Sequence, residues 1–483
     1  MTEASKTSVT VLGGGPGGYA AAFMASDLGL DVTMIDLEPN PGGVCLYRGC
    51  IPSKALLHVA RVLTEAKEAA HWGITFASPK IDLDKMRAAK DAVIAKMTGG
   101  LGQLCRARNI NCIQGRANFE ESQRLRVVGE DGSERFIETD YTILASGSRP
   151  TTIPSLLFES PRIMNSSNAL RMEDIPKSLL VVGGGYIGLE LGSVYATLGA
   201  KVTIVEMAPG LLPGADLDLV KVLHERMAPL FHEILLETKL ASAKEEKTGI
   251  RVTLTHASGK DRTAKFDKLL VCVGRKPNSS GLGLQATQVD VDEKGFVKVD
   301  EQTRTTDPHI FAIGDVAGEP MLAHKASHQG RVAAEILAGH KTAFAPQAIP
   351  AVVFTDPELA WCGLTEREAQ KTGRAHKVAR FPWGASGRAA TLNRSEGLTK
   401  IISDPETDRV LGMGIVGAGA GELIAEGVLA IEMGAVAADI SMSIHAHPTL
   451  SETVMETAEL IFGYSTHMYR PRRDGTVEPK AVG

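Results

Sequence analysis

One short plan is written twice in this chain. Val9 to Leu12, a β-branched apolar run, ends in Gly13-Gly14-Gly15-Pro16-Gly17-Gly18, and an Ala-rich helical stretch, Tyr19 to Leu28, follows. A second strand, Asp31 to Ile35, closes on Asp36. In the same way Leu179 to Val182 leads into Gly183-Gly184-Gly185-Tyr186-Ile187-Gly188, a helix over Leu189 to Leu198, and a strand, Lys201 to Val205, that closes on Glu206. In both copies the acidic residue stands 23 positions after the first glycine (13 to 36, 183 to 206). Strand, glycine turn, helix, strand is the opening of a parallel βαβ unit. Two such openings predict an α/β chain with two Rossmann-like units.

Each glycine in the pattern has a separate task. The first (Gly13, Gly183) makes the tight turn, and the second (Gly15, Gly185) lets a pyrophosphate approach the backbone. The third (Gly18, Gly188) lets the helix pack closely on its strand. The helix N-terminus offers free N–H groups and partial positive charge to the phosphates. Asp36 and Glu206 are placed to accept hydrogen bonds from ribose hydroxyls. A lone glycine motif is often a turn with no ligand; two copies with identical spacing and element order argue against that reading. No Lys or Arg occurs from Met207 to Ala215, and Glu206 would repel a 2′-phosphate, so the second cradle favours NAD over NADP.

Between the cradles the pattern predicts helices over Ser53 to Ala70 and Leu83 to Leu104, then short strands up to Ile143. Pro150, Pro154 and Pro161 mark a linker, Gly274 to Gly283 a second boundary, and from Ala351 the pattern becomes that of an α+β region. Thr305 to Asp315 reads as an apolar strand closing on Gly314-Asp315, where an acidic side chain could bind a ribityl chain; Gly-Asp turns are common enough that this carries little alone.

The formal net charge of -5 gives no support for binding nucleic acid or an anionic membrane. Leu411 to Ala438 is broken by Glu422, Glu426 and Glu432 and does not read as a membrane span. Met1 to Ser8 is short and polar, without a signal core. A cytoplasmic location is the expectation, and there closely spaced cysteines are catalytic or metal-binding more often than structural.

Cys45 and Cys50 are such a pair, in Cys45-Leu46-Tyr47-Arg48-Gly49-Cys50, with Ile51-Pro52-Ser53-Lys54 beginning a helix. The spacing is too tight to staple a fold and suits a reversible disulfide. A thiolate at a helix N-terminus is stabilised by the helix dipole, and Arg48 or Lys54 would add to this. Half of a zinc site is the rival, but no further Cys or His stands near at ligand spacing. Two inert cysteines are the other alternative. Cys105, Cys112, Cys272 and Cys362 have no paired context and are expected in the core. Near the C-terminus, His445-Ala446-His447-Pro448-Thr449-Leu450-Ser451-Glu452 offers a histidine with a carboxylate five residues on. That is an oriented acid–base pair if a thiol partner exists elsewhere, and an ordinary surface pair if not.

Taken together these segments resemble the pyridine nucleotide–disulfide oxidoreductases, and within them the lipoamide-linked branch. The likeness rests on the first cradle, GGVCLYRGCIPSKALLH at 42–58, GGGYIGLELG at 183–192, VGRKPN at 273–278, IFAIGD at 310–315, MLAHKASHQG at 321–330, FPWGASGRA at 381–389 and HAHPTLSE at 445–452. It implies a homodimer with an FAD-binding domain at 1–150, an NAD-binding domain at 151–276, a central domain at 277–346 and an interface domain at 347–483. It implies that Cys45 exchanges with a dihydrolipoyl thiol, that Cys50 is the thiolate beside the flavin, and that His447, oriented by Glu452, is the base, acting on the partner's dithiol. FAD would be held by Gly13, Gly15, Gly18, Asp36, Lys54, Ala117, Ser146, Gly147 and Asp315, with Met321, Leu322, Ala323 and His324 close by. NAD would be held by Gly183, Gly185, Tyr186, Ile187, Gly188, Glu190, Glu206, Gly274 and Arg275, with Glu190 paired to Lys54. The lipoyl domains of 2-oxoacid dehydrogenase complexes would bring the substrate. Tyr47, Tyr186 and Asp36 depart from the usual residues of that branch, which more often has asparagine, a small aliphatic residue and glutamate there.

Overall fold

The computed structural model describes residues 5–153, 156 and 159–469 of the chain. Of the linker prolines, Pro154 lies outside the described residues. The first unit opens with β1 (Ser5–Leu12), whose C-terminal half is buried because it runs through the middle of a covered parallel sheet. α1 (Pro16–Asp27) starts three residues before the predicted Tyr19, since Pro16 has no N–H to leave unpaired in a first turn. β2 (Val32–Asp36) pairs in parallel with β1, from Val9 opposite Val32 to Leu12 opposite Ile35. α2 (Gly43–Arg48) and α3 (Cys50–Glu68) are split at Gly49, where an added Cβ would lie 2.8 Å from the Val44 carbonyl oxygen. α4 (Leu83–Ala107) is capped by Asp82, whose side chain accepts from Lys85 N. β3 (Asn111–Gln114), β4 (Arg116–Glu121), β5 (Arg124–Val128) and β6 (Glu134–Leu144) complete the order β3-β2-β1-β6-β5-β4, and β7 (Ser148–Pro150) leaves it.

The second unit repeats the first. β8 (Ile163–Met164) and α5 (Ser166–Ala169) precede β9 (Ser178–Val182), α6 (Tyr186–Thr197), β10 (Lys201–Val205), α7 (Leu217–Met227) and β11 (Glu233–Leu235). β12 (Thr238–Glu246), β13 (Gly249–His256) and β14 (Asp261–Phe266) form an antiparallel sheet of their own. β15 (Lys268–Val271) returns to the parallel sheet, ordered β11-β10-β9-β15-β8. β16 (Arg275–Pro277) then pairs antiparallel with β7.

The chain comes back to the first unit after the second. β17 (Ile310–Ala312) joins β6 in parallel, Ile310 opposite Thr142. α8 (Ala323–Leu337) lies against α1 with no side chain at Gly330, where a Cβ would stand 2.4 Å from the Gly17 carbonyl oxygen. The segment predicted to close on Gly314-Asp315 is therefore a strand of the first sheet.

The last region is α+β, as its pattern predicts. β18 (Ala351–Val353), β19 (Glu358–Gly363), β20 (Lys377–Pro382), β21 (Leu398–Ser403) and β22 (Val410–Gly417) build an antiparallel sheet ordered β18-β19-β22-β21-β20, with α9 (Glu366–Thr372) between β19 and β20 and α10 (Gly387–Thr391) between β20 and β21. α11 (Ala420–Glu432), α12 (Ala437–Met442) and α13 (Glu452–Glu459) follow it in the chain. Among the described residues no helix is long and apolar enough to cross a membrane.

One expectation fails. Cys105 and Cys362 are buried and Cys272 is partly so, but Cys112 is exposed and stands beside Cys105. Sequence spacing hides this pairing because a chain reversal after α4 creates it.

Candidate active site

The glycine turns are built as their spacing requires. A Cβ on Gly18 would lie 1.8 Å from the Gly13 carbonyl oxygen, and one on Gly188 2.1 Å from that of Gly183. Only residues without side chains let α1 and α6 sit so close to their strands. A Cβ on Gly15 or Gly185 would meet nothing within 4 Å, so the middle glycines face open space where a pyrophosphate fits.

Asp36 and Glu206 occupy matching places. Asp36 accepts from Gly14 N at 2.5 Å and Glu38 N at 2.8 Å; Glu206 accepts from Gly184 N at 2.7 Å and Ala208 N at 2.8 Å. Each carboxylate thus braces its own glycine turn as well as ending its strand. Burial pushes the Asp36 carboxyl above the usual carboxylate range, against the pull of its two N–H donors.

A cavity of about 640 Å³ opens between these units. Gly13, Gly15, Asp36, Ala117, Ser146 and Gly147 line it. So do Asp315, Met321 and Ala323 from the returning segment. Cys45, Cys50 and Lys54 line it beside Tyr186, Ile187, Glu190 and Arg275 of the second unit. Gly18 underpins it without lining it. Gly183, Gly185, Gly188, Glu206 and Gly274 belong to the second turn and its strand ends, outside this cavity. Leu322 and His324 do not line it either; His324 Nε2 donates instead to the Pro350 carbonyl at 2.8 Å, and burial holds its pKa down. Tyr47, for all its position between the cysteines, sends its hydroxyl to the Asn40 carbonyl at 3.0 Å.

The two thiols differ because their surroundings do. Cys50 is the first residue of α3, where the helix dipole favours negative charge. A hydrogen bond from the Cys45 thiol is the largest influence on Cys50 and Lys54 adds to it; against burial they bring its pKa down to about 7. The same hydrogen bond and burial drive Cys45 far upward. Cys50 is therefore the more acidic thiol of the pair, and Cys45 the one that keeps its proton longer.

Lys54 is itself held. Its Nζ donates to Glu190 Oε2 at 2.8 Å and lies 4.4 Å from the centre of the Phe354 ring, while Phe354 N donates to Glu190 Oε1 at 3.0 Å. Phe354 had no signal in the sequence, being 164 residues from Glu190. Ser148 was missed as well. It is buried, its Oγ donates to Asp315 Oδ2 at 2.5 Å, and Arg275 Nε donates to that Oγ at 2.7 Å. The β7–β16 pairing makes this contact by setting Pro277 opposite Ser148.

His447 and Glu452 form the predicted pair, with Nδ1 2.9 Å from Oε1. A carboxylate only accepts, so Nδ1 carries the hydrogen and Nε2 is left as the basic nitrogen. Burial works against the Glu452 carboxylate, but the Thr449 N–H and His447 hold its pKa below the usual range. His445 is committed elsewhere, to Glu426 Oε1 at 2.9 Å and the Ser443 carbonyl at 2.8 Å. Within one chain the structure does not bring this pair to the dithiol: His447 and Glu452 line a separate, small cavity with Phe381, Ser386 and His467.

Residues 7–330 match the family described as pyridine nucleotide-disulphide oxidoreductase, and residues 349–458 match its dimerisation domain. The chain is 47% identical over 468 residues to a dihydrolipoyl dehydrogenase of Haemophilus influenzae, covering 97% of this chain and 98% of that protein. It is 44% identical to a dihydrolipoyl dehydrogenase of Halobacterium salinarum, covering 95% and 97%. Among solved structures it resembles LpdA of Mycobacterium tuberculosis, with a TM-score of 0.87 at 28% identity over 95% of this chain and 99% of that one. The HOCl-induced flavoprotein disulfide reductase RclA of Escherichia coli matches with a TM-score of 0.84 at 26% identity, over 94% and 99%. By both its domains this chain belongs to the pyridine nucleotide-disulphide oxidoreductase family.

Proposed function

We propose that this chain oxidises dihydrolipoyl groups with NAD, using Cys45 and Cys50 as its redox dithiol and FAD as its flavin. The observation that carries the reading is the split pair of thiols, Cys50 at a helix N-terminus beside Lys54, in the cavity that the cradles border. Near-full-length similarity to dihydrolipoyl dehydrogenases supports the substrate.

In this reading His447 Nε2 takes a proton from one substrate thiol. The thiolate attacks Sγ of Cys45 in the oxidised pair, and Cys50 leaves as a thiolate. The second substrate thiol, once deprotonated, displaces Cys45 from the mixed disulfide and closes the lipoyl disulfide. Two electrons then reside in the reduced cysteine pair. The chemistry that bound FAD supplies is acceptance of that electron pair and its delivery as hydride to NAD. Glu452 keeps His447 in the productive tautomer and stabilises its imidazolium. Lys54 and the α3 N-terminus hold Cys50 as a thiolate.

Gly13, Gly15, Gly18, Asp36, Ala117, Ser146, Gly147, Asp315, Met321 and Ala323 would hold FAD. Gly183, Gly185, Tyr186, Ile187, Gly188, Glu206, Gly274 and Arg275 would hold NAD. Since His447 and the dithiol line different cavities of one chain, the base is read as serving the partner's dithiol in a homodimer. We assign 1–150 to FAD, 151–276 to NAD, 277–346 to the central domain and 347–483 to the interface. Lipoyl domains of 2-oxoacid dehydrogenase complexes are its partners, in the cytoplasm. The test is a side-by-side rate comparison of the FAD-loaded protein on dihydrolipoamide, glutathione and mercuric ion, with NAD and NADP couples. The fastest turnover belongs to dihydrolipoamide with NAD; a faster reaction with another substrate or coenzyme overturns the assignment.

A further inference from the structure

Cys105 and Cys112 lie outside the cavity and outside the chemistry just derived. Cys105 is in the last turn of α4 and 2% exposed; Cys112 is on β3 and reaches solvent. Between them the chain reverses tightly. Arg108 N and Ile110 N both donate to the Cys105 carbonyl, at 3.1 and 3.0 Å, and Asn109 adopts a φ of 54°. The reversal lays β3 against the end of α4 and so sets the two thiols beside each other. β3 is the edge strand of its sheet, so nothing beyond it in the sheet shields Cys112.

The surroundings distinguish these thiols as they do the catalytic pair. The hydrogen bond from Cys105 and, against burial, the Arg106 guanidinium hold the Cys112 thiol below its ordinary pKa. The same hydrogen bond and burial push Cys105 far up. Arg108, the second cation near Cys105, is fixed by Asp27 at 2.9 Å. An accessible thiol of lowered pKa beside a buried one is the arrangement in which an oxidised sulfur is resolved by its neighbour.

We propose that Cys105 and Cys112 form a second redox-active dithiol, which hydroperoxides oxidise to a disulfide that fastens the end of α4 to β3. The Cys112 thiolate attacks the terminal oxygen of the hydroperoxide, the O–O bond breaks, and the alkoxide leaves and takes a proton from water as the alcohol. Cys112 is now a sulfenic acid. The Cys105 sulfur displaces its hydroxyl, which departs with the Cys105 proton as water, and the S–S bond forms. The hydroperoxide is reduced by two electrons and the dithiol oxidised by two. The bond braces a functional edge: β3 ends at Gln114, whose Nε2 donates to the Leu37 carbonyl at 3.0 Å, and Gly115 N donates to the Asp36 carbonyl at 2.8 Å.

The chain is well suited to a direct test, because Arg106 and Arg108 lie between the two cysteines. The FAD-loaded protein, with Cys45 and Cys50 already oxidised, is treated with hydrogen peroxide, alkylated and digested with trypsin. Mass spectrometry should find peptide 97–106 joined to peptide 109–116, at least tenfold above the untreated sample, and dithiothreitol should abolish the linked species. Cys112→Ser, at an exposed site, should lose the linkage with its dihydrolipoamide turnover unchanged. In Cys105→Ser, dimedone should label Cys112. Both cysteines remaining alkylatable after peroxide, or Cys112 oxidising to the sulfinic acid while Cys105 stays free, would overturn the proposal.

Discussion

Lys54 and Glu190 meet at 2.8 Å across 136 residues of chain, joining the helix that begins at the dithiol to the helix of the second glycine turn. The side chain of Glu190 is 4% exposed and that of Lys54 32%, so the carboxylate is fixed and the ammonium is shared between it and the cavity. The two charges act on Cys50 with opposite sign, Lys54 lowering its pKa and Glu190 raising it.

From this follows a pair of opposed shifts. Lys54→Met should move the Cys50 titration upward from about 7, and Glu190→Gln should move it downward, each by about one unit. The pH dependence of Cys50 alkylation in the reduced protein measures both. Shifts in the same direction would remove the electrostatic explanation for its thiolate.

The acid–base pair gives a second prediction. His447→Gln should slow dihydrolipoamide oxidation by about 10²- to 10⁴-fold while FAD stays bound. Glu452→Gln should cost less, since the imidazole survives and only its orientation suffers. Because the folded-state pKa of Glu452 is depressed, the stability this group contributes is present above its unfolded pKa and lost as pH falls through the folded one. Glu452→Gln should therefore lessen the acid-side loss of stability below the ordinary carboxylate range, as read from thermal midpoints against pH. An unchanged acid limb would show that Glu452 makes no such contribution.

Lys400 offers a test of burial. Its side chain is 1% exposed, with Nζ 2.8 Å from Asp216, 3.0 Å from Asp218 and 2.6 Å from Glu366, tying β21 to α7 and α9. Lys400→Met leaves these carboxylates without their central cation and should cost about 3–5 kcal/mol. Arg380 bonds to Asp218 and Glu366 too, but its side chain is 37% exposed, so Arg380→Met should cost only about 1 kcal/mol or less. Urea unfolding midpoints compare the two, and equal losses would contradict the role given to burial.

The two cradles were legible because their chemistry is local: Gly13 to Asp36 and Gly183 to Glu206 are single strand–turn–helix–strand segments whose residues meet by chain geometry. The dithiol was legible for the same reason, with Pro52 and Lys54 already placing Cys50 at a helix start. What escaped the sequence needed the fold. Ser148 reaches Asp315 only once β6 and β17 lie side by side, and Phe354 reaches Glu190 only when the last region docks on the first two. Cys112 reads as one more isolated cysteine until the turn at Asn109 carries it back to Cys105. The spacing marks Asp36 and Glu206 as ribose ligands, yet each also bonds to the glycine turn it follows, a role that no spacing rule expresses.

In the proposed mechanism, electrons from a dihydrolipoyl group enter this protein through Cys45. The direct measurement is NADH formation from dihydrolipoamide and NAD by the FAD-loaded protein and its Cys45→Ser variant, with bound flavin quantified in both. The predicted result is steady turnover by the parent chain and a loss of about a thousandfold or more in the variant, with flavin content equal. Substantial NAD-dependent oxidation by flavin-replete Cys45→Ser would contradict the account.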